Sequence, residues 1–68
     1  MSDKVYKTIR LTGCSEESYE KAIKVALGKA GESLHGVSWF TVTEMRGGIR
    51  DGATVEYQAT VEVAFKID

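Results

Sequence analysis

The stretch from Ala53 to Ile67 alternates over its whole length. Val55, Tyr57, Ala59, Val61, Val63, Phe65 and Ile67 are apolar, while Thr54, Glu56, Gln58, Thr60, Glu62 and Lys66 are polar. A period of two sustained this far predicts one β-strand with a buried face and a solvated face. At ~3.3 Å per residue it would span about 50 Å if straight, farther than one small helix can cover. Such a strand must twist, curl or reach into neighbouring chains, and the rest of a 68-residue chain has to pack on it.

The length predicts a single domain, residues 1–68, that removes only about 60% of its unfolded surface from water when it folds alone. Small scaffolds are stapled by disulfides, metals or association. One cysteine, Cys14, and one histidine, His35, exclude an intrachain disulfide and argue against a structural zinc site, which leaves association. Nine Lys+Arg against ten Asp+Glu give a net charge of -1, with no basic run of the kind that binds nucleic acid. No apolar run approaches the ~20 residues that span a bilayer, and no stretch reads as a signal peptide. The expectation is a soluble, cytoplasmic protein with its thiol reduced, without nucleic-acid or membrane partners.

Upstream, Val5 to Thr12 alternate as a half-buried strand, with Val5, Ile9 and Leu11 on one side and Tyr6, Thr8, Arg10 and Thr12 on the other. Gly13-Cys14-Ser15-Glu16-Glu17 then reads as a turn and helix start, with Ser15 as N-cap and Cys14 and Tyr19 as a hydrophobic staple. Tyr19, Ala22, Ile23, Ala26, Leu27, Ala30 and Leu34 recur at three- and four-residue spacings, one stripe on a helix of roughly 16–34. Gly36 suits the C′ position. A second strand, about 37–46, sets Phe40 and Val42 against Trp39, Thr41 and Thr43, and Glu44 and Met45 blur its end. The segment Gly47 to Gly52 reads as a connection with two turn signals. The class is α+β: a β-α-β-β protomer whose three-stranded antiparallel sheet wraps one helix and leaves its other face open for assembly.

Catalytic groupings are missing from this pattern. Cys14 and His35 fall at opposite ends of the expected helix, about 25 to 30 Å apart, and Gly47-Gly48 lacks the spacing of a phosphate loop. Glu56 and Glu62, with Lys4, Lys7, Arg10 and Lys66, either stay solvated or pair between subunits. Trp39 is the unusual residue, the only tryptophan, on the polar side of its strand and on the same sheet face as Gln58. It either plugs a subunit contact or stacks a planar heteroaromatic ligand whose edge an amide reads.

Lys4-Val5-Tyr6-Lys7, Gly13-Cys14-Ser15-Glu16-Glu17, Trp39-Phe40, Arg46-Gly47, Glu56-Tyr57-Gln58 and Val61-Glu62-Val63-Ala64-Phe65, in this order and spacing, resemble the dodecins over nearly the whole chain. The resemblance implies a hollow homododecamer that binds flavins in pairs at subunit contacts. Trp39 then matches the tryptophan that stacks on the isoalloxazine ring, and Gln58 the glutamine that bonds its pyrimidine edge. The implied ligand is FMN (or riboflavin), with Arg46 and Lys66 as candidates for phosphate contacts, and some members also hold coenzyme A. Cys14, ahead of the helix cap, leaves the flavin assignment untouched. The implied function is flavin storage and photoprotective quenching without catalysis. The alternatives are a coenzyme A or nucleotide carrier shell and a flavin-dependent reductase.

Overall fold

The computed structural model describes residues 3–67. It runs β1 (Val5–Ser15), α1 (Tyr19–Ser33), β2 (Val37–Arg50) and β3 (Thr54–Ile67), the β-α-β-β order and α+β class expected from the two periodicities. Positions 1, 2 and 68 of the expected domain lie outside the described residues, as does the Thr54 side chain. The sheet order is β1-β3-β2, with β3 antiparallel to both neighbours. The long alternating strand is therefore the centre of the sheet. Its apolar Ala59, Val61 and Val63 are fully buried, because only a central strand has neighbours on both sides and a helix above.

The helix begins later than its sequence suggests. Ser18 is the N-cap, and its Oγ accepts from Lys21 N–H at 3.0 Å. Ser15 instead ends β1 and accepts from Glu17 N–H at 2.9 Å, a serine turn. Gly13, Cys14 and Ser15 continue the ladder opposite Ala59, Gln58 and Tyr57, so Cys14 and Tyr19 form no staple across a cap. Tyr19 packs edge-on against Tyr57, with ring centroids 5.0 Å apart. The predicted stripe is the one that packs: Ala22, Ala26 and Ala30 are buried, and Ile23, Leu27 and Leu34 join Val61 and Val63 with Ile9, Leu11 and Val42.

Small residues bring α1 close to the sheet. A Cβ on Gly13 would lie 2.1 Å from the Ala22 carbonyl oxygen and 2.9 Å from Ala26 N, so only glycine fits there. The helix sits over β1 and β3 and scarcely touches β2. The sheet thus wraps the helix less evenly than expected, and Phe40 on the helix-side face of β2 stays 45% exposed.

The hairpin is longer than the glycines at 47 and 48 suggest. β2 passes straight through them, and the chain reverses at Asp51-Gly52, both with positive φ, where Ala53 N–H donates to Arg50 O at 3.1 Å. This is the backbone a tight hairpin turn demands. β1 pairs no farther than Tyr57, so the end of the hairpin projects past it with Ile49 and Val55 exposed, tethered by an ion pair from Arg50 to Glu16. The molecule is 55 Å long. Its radius of gyration is 14.3 Å, against about 11 Å for a compact chain of this length. Its surface is 4859 Å², against about 4,200 Å² for a compact monomer of this mass. A single copy leaves apolar surface that association would cover.

Two bulges reset the faces of β2. Val37 pairs with Phe65 but Trp39 with Ala64, and Val42 pairs with Val61 but Glu44 with Thr60. Each inserts one residue and reverses the alternation beyond it. The first turns Trp39 to the face opposite Val37. The second turns Glu44 and Arg46, which strict alternation would put with Phe40 and Val42, to the same face as Trp39.

Candidate ligand-binding face

The sheet face away from α1 carries Trp39 at one end. Its Cα partner is Ala64, and Ala64 pairs on its other side with Thr8. Ala64 is fully buried although it faces away from the helix. Above its small side chain, Tyr6 and Trp39 meet with ring centroids 4.7 Å apart and planes tilted by 53°, a favoured aromatic geometry. The indole is still 47% exposed. It is a flat apolar surface, propped on one side by a phenol ring and open on the other. Lys66, the Cα partner of Tyr6, belongs to this end of the face.

Gln58 and Arg46 occupy the other end as direct partners across β2 and β3. Arg46 Nε donates to Gln58 Oε1 at 2.7 Å, and Gln58 Nε2 donates to Glu56 Oε1 at 2.8 Å. Arg46 Nη1 also donates to Glu44 Oε1 at 2.7 Å. Both ends of the Gln58 amide are thereby held, with the oxygen toward Arg46. Cys14 is the β1 partner of Gln58 and is exposed. Cys14 therefore shares the face of this group, because β1 continues where a turn was expected.

Between the two ends, Thr12 and Thr60 hydroxyls meet at 2.8 Å and Arg10 pairs with Glu62 at 2.9 Å. Arg10, Thr12 and Thr60 border a polar depression of about 500 Å³ that also includes Thr43, Glu44 and Arg46. Glu62 and Arg10, read from sequence as solvated or paired between subunits, are partners within one chain. A second cleft, about 460 Å³, lies between β1 and α1 near Leu11, Val25 and Lys29 and contains none of the residues singled out for binding.

The face brings Trp39 together with Lys66, and Arg46 together with Gln58, but it separates the two pairs. Ala64 and Gln58 are six residues apart on β3, about 20 Å along the strand at ~3.3 Å per residue. The backbone positions that carry Trp39 and Gln58 of one chain therefore stand well apart along the sheet. Tyr6, Glu44 and Glu56 went unremarked as site residues in the sequence. Tyr6 and Glu56 share the parity of Gln58, a usable signal, whereas Glu44 reaches this face only through the bulge.

An open antiparallel sheet on one helix, with a propped indole and a polar row on its uncovered face, defines a small α+β binding protein that completes itself by self-association. The chain belongs to the dodecin family, whose model matches residues 5–68. A dodecin from Thermus thermophilus is 45% identical over 65 residues, covering 96% of this chain and 94% of that protein. The crystal structure of a Thermus thermophilus protein superimposes with a TM-score of 0.86 at 44% identity, covering 97% of each chain. Calcium dodecin from Mycobacterium tuberculosis, described as a calcium-chelating antigen with a novel calcium-binding site, superimposes with a TM-score of 0.85 at 30% identity, covering 94% of this chain and 91% of its own. Among the described residues of the present chain, no three His, Cys, Asp or Glu side chains cluster to hold a metal ion, and no helix is long and apolar enough to cross a membrane. Family membership supports a small flavin-binding protein of the dodecameric type.

Proposed function

We propose that the protein is a cytoplasmic flavin store, a hollow homododecamer that sequesters FMN or riboflavin and quenches the photoexcited ring. The observation that carries this reading is the half-exposed Trp39 indole, held by Tyr6 over the buried Ala64 on an uncovered sheet face. A flat apolar ring fixed from behind costs little ordering when another flat ring stacks on it. Trp39 stacks on the isoalloxazine and Gln58 bonds its pyrimidine edge. The ~20 Å along β3 between their positions favours supply of the two contacts on one flavin by different copies of the chain, so that binding depends on assembly. Arg46 and Lys66 contact the phosphate, again from opposite ends of the face. Quenching follows from electron donation by the indole to the excited ring and rapid return, which leaves no product and needs no proton-transfer pair.

The purified protein is expected to be yellow and to elute near about 90 kDa, twelve times its 7.5 kDa chain mass. Added FMN should lose its fluorescence stoichiometrically. A colourless monomer that leaves FMN fluorescence unchanged would overturn the reading. Coenzyme A offers phosphates and an adenine but no isoalloxazine; saturation by coenzyme A with no response to either flavin would make a nucleotide carrier the better description. Steady consumption of reduced nicotinamide by the flavin-loaded assembly would instead indicate a reductase.

Replacing Gln58 with alanine should weaken flavin binding by about 0.5–1.5 kcal/mol, the net worth of a neutral hydrogen bond, while quenching of the flavin that does bind persists. Competitive titration with a measured quenching yield separates the two effects. Loss of quenching at full occupancy would reverse the assigned roles.

A further inference from the structure

We propose that Glu44 determines the ligand preference of this face by competing with a flavin's phosphate for Arg46, so that it limits the advantage of a phosphorylated flavin over an unphosphorylated one. This rests on the reading of Arg46 as a phosphate contact. A guanidinium grips a phosphate in bidentate fashion through one of two donor edges, Nε with Nη2 or Nη1 with Nη2. Here each edge has one member engaged: Nε donates to Gln58 Oε1 at 2.7 Å, and Nη1 donates to Glu44 Oε1 at 2.7 Å and to Thr60 Oγ1 at 3.5 Å. A phosphate that grips either edge therefore competes with Gln58 on one side, or with Glu44 and the weaker Thr60 contact on the other.

The two displacements differ in kind. Gln58 is a neutral amide whose other end is already held by Glu56, and releasing its oxygen frees an acceptor. Glu44 is a carboxylate with the same charge sign as the incoming group. While it remains on Nη1 it both blocks an edge and repels the ligand. Glu44, Arg46 and Glu56 together carry one positive and two negative charges, so a phosphate approaches a cluster of net negative charge.

The pairing is built into the fold. Glu44 and Arg46 share this face because the bulge after Val42 brings them over together, and Thr43 anchors that bulge by donating its hydroxyl to the Thr60 carbonyl at 3.2 Å. Glu44 is 59% exposed at its side chain and Arg46 43%, so the pair is accessible to a ligand. Neither member is needed to fill the core.

The test compares FMN with riboflavin on the assembled protein by fluorescence quenching. In Glu44→Gln the preference for FMN, taken as the ratio of the two dissociation constants, should rise about three- to fivefold, the upper part of the range for a partly exposed charge pair. Riboflavin affinity should stay within about twofold. A ratio that does not rise, or a parallel change in both ligands, overturns the proposal. Arg46→Ala separates this failure from failure of the phosphate contact itself. If Arg46→Ala lowers the ratio while Glu44→Gln leaves it unchanged, the competition alone is refuted. If Arg46→Ala leaves the ratio unchanged, the phosphate contact falls and the competition falls with it.

Discussion

Replacing Trp39 with alanine is expected to weaken FMN binding about 5- to 150-fold, the ~1–3 kcal/mol measured when aromatic stacking partners of flat heterocycles are truncated. It should also abolish fast quenching of whatever flavin still binds. The effect belongs to binding rather than folding. Trp39 is 47% exposed and lies outside the buried core, so its removal opens no internal cavity, and thermal unfolding without ligand should shift little. Phenylalanine at the same position keeps a ring against Tyr6 but is a poorer electron donor. Trp39→Phe should therefore retain more affinity than Trp39→Ala while its bound flavin fluoresces more strongly than in the native protein. Titration by quenching, with bound and free flavin separated by ultrafiltration, measures affinity and quenching independently. Unchanged affinity and quenching in Trp39→Ala would refute the stacking role.

The second large effect is on stability. Gly13→Ala puts a methyl group 2.1 Å from the Ala22 carbonyl oxygen and 2.9 Å from Ala26 N. Both neighbours are backbone, so no side chain can turn away, and β1 and α1 must separate. Overpacking of this kind costs about 1–3 kcal/mol, and at ~4–8 °C per kcal/mol for a domain of this size the melting temperature should fall by at least about 5 °C. The same substitution at Gly28 has the opposite sign. Nothing lies within 4 Å of a Cβ there, and alanine within a helix is favoured over glycine by up to about 1 kcal/mol. Thermal unfolding of both variants at one fixed protomer concentration, needed because assembly itself stabilises, checks the pair. Gly13→Ala melting at or above the native temperature would show that helix and strand do not approach this closely.

Much of the architecture is readable in the chain because its causes are local. Alternation from Val55 to Ile67 depends only on the period of a strand, and the stripe from Tyr19 to Leu34 only on the period of a helix. Together they specify one sheet and one helix, and the surplus length of the last strand already points to a hairpin that outruns its cover. Boundaries fared less well where two local signals compete. Ser15 and Ser18 are both able to cap a helix, and the strand pairing of Gly13 to Ser15 with β3 decides for Ser18. Gly47-Gly48 resembles a turn as much as Asp51-Gly52 does, and the ladder to Tyr57 and Glu56 carries β2 through it.

The ligand face divides in the same way. Parity on unbulged strands puts Tyr6, Gln58 and Lys66 on the polar side, and sequence alone suffices for that. It cannot locate the bulges at the start of β2 and after Val42, because a bulge is settled by which residue of β3 finds a backbone partner, a long-range pairing that leaves no periodic trace. Alternation with Phe40 and Val42 already puts Trp39 on the outer face; the insertion after Val42 brings Glu44 and Arg46 over to it, beside Gln58. Local periodicity was enough to specify one amphipathic helix, a long last strand and an indole in need of a partner. The addition of Glu44 and Arg46 to the open face, the central place of β3 and the spacing along it came from the folded chain, since register and strand order arise from contacts between residues distant in the chain.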